Sequence, residues 1–257
     1  MPATQSGRTV DSLPATQSGR ALDFRLDLVE RAPLFKGLAR AQCEELTRLT
    51  RVRRVVRKEC FFLQGDPAED FMLLISGRVK MSRVGADGDR IILRLAAPGE
   101  AFGCLDVPPG ATYPASAEAL EPSQALLWDR RALDGFIGRH PVLLHNVMRI
   151  VAERMRALEE RCHELSSQRV PQRVAGTLLR LLGQVGRPAD GGGVLIGLSR
   201  EELGEMTGTT LFSVSRLLGE WEAQRLVKPR REGVIVTDAL RLAAVANASA
   251  LAPAIGD

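Results

Sequence analysis

The chain has no apolar run approaching the roughly 20 residues that a membrane-spanning helix needs. Its extreme N-terminus is polar throughout and offers no apolar core for a secretion signal. A soluble, cytoplasmic protein is the expectation. Histidine is scarce, with only His140, His145 and His163. No nucleophile-base arrangement, phosphate-binding glycine loop or metal motif accompanies them, so the chain is expected not to be an enzyme. The four cysteines, Cys43, Cys60, Cys104 and Cys162, lie far apart without metal-ligand spacing and stay unpaired in a reducing cytosol. Neither sign of charge dominates: 35 Lys and Arg against 31 Asp and Glu leave +4. That bias suits nucleic acid and many other partners alike. With 257 residues, 45% of them hydrophobic, the chain is long enough for two modest domains, each with its own core.

The segment PATQSGR occurs at Pro2 to Arg8 and again at Pro14 to Arg20, amid Thr, Ser and Gly without apolar periodicity. Residues 1–25 therefore read as a disordered tail, or as a leader upstream of a second start. Folded structure is expected from Leu26. From about Val52 to Trp128 short apolar runs alternate with glycines at 65, 77, 85, 88, 99 and 103. Many short strands with such turns make a barrel or sandwich, and Ala86-Asp87-Gly88-Asp89 is a hairpin signal. This predicts a β-barrel sensor over 26–138.

After Arg139 the pattern becomes helical. Leu144, Met148, Val151, Met155, Leu158, Cys162 and Leu165 are spaced alternately four and three, the seam of a coiled coil. Charged neighbours, among them Arg154, Arg161 and Glu164, are expected to keep the other faces wet. A dimerisation helix over 139–169 follows; the alternative is a helix packed along its own barrel. Pro171 marks a boundary.

Past it, the run from Leu198 to Val227 is the most informative. Ser199 with Glu202 is a capping box, Gly208 ends that helix, and Thr209 or Thr210 caps the next, whose inward face is Val214, Leu217, Leu218 and Trp221. Two short helices joined at glycine make the helix-turn-helix plan. The second exposes Leu211, Phe212, Ser215 and Arg216 toward base edges, Arg216 being able to bond guanine O6 and N7 together. Thr209, Thr210 and Ser213 suit phosphates, with Ser199 and Arg200 as further contacts. Lys228, Arg230 and Arg231 form a basic hairpin tip, the wing, and supply salt-dependent affinity. The reader spans 170–245, and 246–257 form a C-terminal tail.

Both halves resemble the Crp/Fnr family of bacterial regulators, from about Leu34 to Ala239. Gly65 to Gly77 is similar to the signature of its cyclic-nucleotide-binding barrel, and Ser199 to Glu222 to its DNA reader. The resemblance implies an α+β protein: an N-terminal double-stranded β-helix (jelly-roll) sensor barrel, a long dimerisation helix and a C-terminal winged helix-turn-helix. It implies a homodimeric transcription regulator of a near-palindromic duplex, with RNA polymerase as partner if it activates. The alternative is an effector-binding module acting through protein contacts without specific DNA binding.

The chain departs from the family at named positions. Cys104 stands where nucleotide-binding members carry a carboxylate, and Tyr113-Pro114 where they carry the Arg-Ser pair that holds the cyclic phosphate. Without that arginine a phosphate loses a bidentate partner, so cyclic AMP is not the expected ligand. The N-terminal arm has no cysteine for an iron-sulfur cluster. The effector pocket is expected at Phe102, Gly103, Cys104, Leu105, Tyr113, Pro114 and Ala115, with Met148, Val151 and Met155 from the long helix. The runs Tyr113 to Ala119 and Thr209 to Arg216 are similar to the branch governing nitrogen-oxide respiration, some members of which bind haem. Haem needs an axial ligand, for which His140, His145, His163, Cys104 and the terminal Met1-Pro2 are the candidates. Against each stands the plainer reading of a surface histidine, or of a buried inert thiol. Phe212 replaces the usual family glutamate and offers a base only apolar contact, as with a thymine methyl.

Overall fold

The computed structural model describes residues 15–248, which divide into two compact units. The first, within 15–84 and 94–155, opens with helix α1 (Ala15–Arg31), a 3-10 turn at Pro33–Phe35 and α2 (Arg40–Arg48). Helix α1 takes in residues 15–25 of the stretch expected as a tail. Leu26 and Val29 are buried in the core and anchor the helix there. The first copy of PATQSGR, Met1-Pro2 and residues 249–257 lie outside the described residues.

Eight strands follow: β1 (Arg51–Val55), β2 (Cys60–Phe62), β3 (Asp70–Ser76), β4 (Val79–Val84), β5 (Arg90–Ala96), β6 (Ala101–Gly103), β7 (Ser116–Ala119) and β8 (Ser123–Asp129). They form two four-stranded sheets, ordered β1-β8-β3-β6 and β2-β7-β4-β5. Apolar side chains from both sheets, such as Phe71, Leu73 and Leu126 from the first and Phe61, Val79 and Ala117 from the second, make one core. Trp128 anchors it: its ring centroid lies 5.5 Å from those of Phe35 and Phe71. Its indole N–H donates to Leu46 O at 2.9 Å, satisfying a buried donor. Asp129 then caps α3 (Arg130–Arg139), accepting from the N–H groups of Arg131 and Ala132.

Helix α4 (Pro141–Ser167) runs 27 residues. It buries Leu143 and Asn146, whose amide donates to Leu34 O and Lys36 O. The second unit takes 85–93 and the chain from Arg156 onward. It holds α5 (Val170–Val185), β9 (Arg187–Pro188), β10 (Val194–Ile196), α6 (Arg200–Thr207), α7 (Leu211–Ala223), β11 (Val227–Arg230), β12 (Gly233–Val236) and α8 (Ala239–Ala246). Its antiparallel sheet is ordered β11-β12-β10-β9. No helix among the described residues is long and apolar enough to cross a membrane.

Candidate nucleic-acid interface

Local chemistry sets the ends of α6 and α7. The Ser199 hydroxyl accepts from Glu202 N at 3.1 Å while the Glu202 carboxylate accepts from Ser199 N at 2.9 Å, the reciprocal box that starts α6. Gly208 ends it at φ +63°, ψ +44°, a left-handed conformation that glycine adopts without the cost a side chain would add. A Cβ on Gly204 would lie 2.8 Å from Thr209 O, so the approach of the turn to α6 requires glycine there. Thr210 caps α7 by accepting from Ser213 N at 3.2 Å.

Helix α7 buries Val214, Leu217, Leu218 and Trp221 against its own unit. The opposite face carries Phe212, which is 82% exposed, with Leu211 and Arg216 also exposed. Phe212 and Arg216, four residues apart, share one stripe. Glu220 continues it and holds the Arg216 guanidinium at 2.9 Å, a partner that the sequence reading did not find. Both side chains are exposed, so the tether is weak. Ser199, Thr209, Ser213 and Ser215 are half-buried beside this face, and Arg200 and Thr210 are exposed. Strands β11 and β12 pair from Val227↔Val236 to Arg230↔Gly233, so Arg231 sits in the hairpin turn, with Lys228 and Arg230 exposed on β11.

The residues expected to line an effector pocket separate into two groups. Phe102, Cys104, Tyr113 and Ala115 are buried in the barrel core, Gly103 and Leu105 are half-buried, and Pro114 is exposed. Met148 and Met155 instead stand exposed on α4, the former by 61%, with Val151 half-buried. They share their helix with Leu144, Leu158, Cys162 and Leu165, which are exposed as well. Within the first unit, the barrel leaves Leu144, Met148 and Met155 uncovered. The other faces of α4 are less wet than expected. Arg154 donates to Ala101 O at 2.7 Å, Glu164 takes Arg180, and Arg161 is half-buried on backbone carbonyls.

Inside the barrel Tyr113 is 4% exposed and its hydroxyl donates to Asp70 O at 2.8 Å. Burial pushes its phenol pKa up. Burial likewise pushes the Cys104 thiol up to about 11, against a smaller opposing pull from Arg130. A neutral thiol is a poor nucleophile and a poor metal ligand. His140 meets Gln42 at 3.2 Å and lies on the Phe136 ring, while His145 and His163 are exposed. No group of three or more His, Cys, Asp or Glu among the described residues is arranged to hold a metal ion. Two buried ion pairs went unread in the sequence: Lys80–Glu118 at 3.2 Å and Arg78–Glu121 at 3.1 Å. Each joins residues about 40 positions apart, which no periodicity reveals.

Residues 52–140 match the cyclic nucleotide-binding domain family, and residues 172–245 the Crp-like helix-turn-helix domain family. The cyclic AMP receptor protein of Thermus thermophilus is 31% identical over 215 residues, covering 84% of this chain and 97% of the relative. The CRP-like cAMP-activated global transcriptional regulator of Mycobacterium tuberculosis is 27% identical over 219 residues, with the same coverages. Among solved structures, FixK2 from Bradyrhizobium japonicum is similar with a TM-score of 0.67 and 25% identity over 78% of this chain and 99% of its own. A CRP-family transcriptional regulator from Thermus thermophilus has a TM-score of 0.66 and 29% identity over 78% of this chain and 98% of its own. With a barrel, a helix-turn-helix and a wing in this order, the chain belongs to the Crp/Fnr family of DNA-binding transcription regulators.

Proposed function

We propose that the protein acts in the cytoplasm as a homodimer that reads a near-palindromic duplex through Phe212 and Arg216, and that its barrel responds to something other than cyclic AMP. The observation that carries this is the exposed stripe from Phe212 to Arg216 on a helix whose other face is fully packed. Such a stripe has no folding role, because an aromatic ring left in water contributes nothing to a core. Arg216 supports recognition of a guanine, and Phe212 an apolar contact in place of a hydrogen bond. Lys228, Arg230 and Arg231 support phosphate contact. The uncovered seam on α4 supports pairing of two copies, which would set half-sites about 34 to 36 Å apart. RNA polymerase is the further partner if the regulator activates.

Cyclic AMP fits this barrel poorly. A cyclic phosphate is best held by a charged, bidentate partner, whereas Tyr113 here is an uncharged ring already hydrogen-bonded within the core. The test is selection of bound duplexes from a random pool by the purified full chain, followed by a salt series on the selected site. Enrichment of a two-fold sequence, with affinity falling steeply as salt rises, is the expected result. Binding indifferent to sequence would sink the proposal and favour a module that acts through protein contacts. An ultraviolet-to-visible spectrum of the same preparation separates a haem-based input from an organic effector.

A further inference from the structure

The turn of the helix-turn-helix sets the angle at which α7 leaves α6, and its backbone needs partners. The last carbonyls of a helix find no donor within it. Here two arginines from outside the motif supply donors. Arg161 Nη2, from α4, donates to Met206 O. Arg173, from α5, donates from Nε to Thr207 O at 3.1 Å and from Nη2 to Gly208 O at 3.4 Å. Leu165, one turn beyond Arg161, lies so near Gly208 that a Cβ there would come within 2.9 Å of its Cδ2.

Arg161 has a second engagement. Its Nη1 donates to Ile92 O at 2.8 Å and to Leu93 O at 3.1 Å, at the base of the hairpin joining β4 to β5. The hairpin tip is closed by Gly85 N donating to Asp89 O at 2.8 Å, and residues 85–93 belong to the same compact unit as the reader. The acceptors of Arg161 are backbone carbonyls, while the nearby Glu164 carboxylate is taken by Arg180. A planar guanidinium can present two nitrogens at fixed angles to two chain segments; an ammonium cannot.

We infer that Arg161 is a positioning residue of the DNA reader, holding the hairpin base and the helix-turn-helix turn in one arrangement so that the state of the hairpin reaches the angle of α7. The inference rests on the DNA-binding reading above. It makes Arg161 more than a helix cap, since a cap alone would serve Met206 O and would not reach Ile92 O and Leu93 O.

The experiment compares full-length wild type, Arg161→Lys and Arg161→Ala, each with and without deletion of Ala86, Asp87 and Gly88 from the hairpin tip. Affinity for the selected duplex and amide hydrogen exchange are both read. Arg161→Lys keeps the charge and is expected to weaken specific binding about tenfold, the scale of one lost charge-assisted hydrogen bond. Binding to random duplex at low salt should be unchanged. Segments 85–93 and 204–210 should lose protection together. In the shortened-hairpin background Arg161→Lys should cost little more, as expected of residues acting as one unit. Wild-type affinity in Arg161→Lys, strictly additive losses, or loss of protection in only one segment would each overturn the inference. If Arg161→Ala fails to fold, the lysine variant decides. If wild type selects no duplex, the DNA-binding reading fails separately, and the exchange data still decide whether Arg161 couples the two segments.

Discussion

Tyr113 lies face to face with Phe62, their ring centroids 3.7 Å apart and their planes 16° from parallel. Phe102 stands 6.3 Å from Phe62 and 5.3 Å from Phe61, so four aromatic rings fill this part of the barrel. Tyr113 is tied in at its tip as well, its hydroxyl donating to Asp70 O and accepting from Asp70 N. A ring so held is part of the core, and displacing it to admit a ligand would cost its packing and both hydrogen bonds.

Titration of the purified protein with cyclic AMP is therefore expected to give no saturable heat. Tyr113→Ala is expected to lower stability by about 3 kcal/mol, as large-to-small core changes do, and still not to create a cyclic AMP site, because no arginine replaces the missing phosphate partner. Tight, specific uptake by the wild type would refute the reading of the barrel.

The seam on α4 yields a second expectation. Leu158→Glu sets one carboxylate against another across a paired helix and removes an apolar contact. Sedimentation should then report a mass near the 28.0 kDa of one chain instead of twice that, and affinity for the two-fold duplex should fall with it. A variant that stays dimeric would move the interface elsewhere.

On the reading face, Arg216→Ala should cost about 1 to 3 kcal/mol on the selected site, with discrimination relaxed mainly at one base pair. Phe212→Glu replaces an apolar contact with an acceptor, so repeated selection should favour cytosine at the position Phe212 faces. An unchanged selected site would demote Phe212 to a bystander. Neutralising any one of Lys228, Arg230 and Arg231 should reduce the salt slope by about one and leave the preferred sequence intact.

The cysteines offer a test by chemistry. Cys162 is exposed, whereas Cys104 and Cys43 are buried with thiols pushed up chiefly by desolvation. Alkylation near pH 8 is expected to label Cys162 in the folded protein, and Cys104 only after unfolding. A raised native pKa means that the folded state binds the proton more tightly. Stability contributed by neutral Cys104 is thus whole below pH 9 and declines as pH rises from 9 toward 11. Cys104→Ala should flatten that decline. Rapid labelling of Cys104 in native protein would reopen the case for a redox switch there.

Much of the reader was legible because its signals are local. Ser199 and Glu202 are three residues apart, Gly208 follows at once, and the inward spacing of Val214, Leu217, Leu218 and Trp221 is a helix period. The barrel was legible in its apolar runs but not in β7, where Ser116-Ala117-Glu118-Ala119 holds no strong strand former. That strand is made by its neighbours, pairing with β2 through Cys60↔Glu118 and with β4 through Lys80↔Glu118. Charge on a helix usually means solvent, yet Arg161 is half-buried. Its partners lie 69 and 45 positions away, where no local pattern can point.

From sequence alone came the order of parts, the seam and the capping of the reading helix, since each depends on residue type within a few positions; the resemblance to the family implied the missing phosphate-holding arginine. Tertiary structure decided what each exposed or charged group does. Tyr113 became a core ring and not merely an absent arginine, Met148 and Met155 stand exposed on α4, and Arg161 bonds backbone carbonyls of two distant segments. Burial and hydrogen bonding between distant segments are properties of the folded chain, and the free energy that assigns a side chain to water or to the interior is set by neighbours the sequence brings together only on folding.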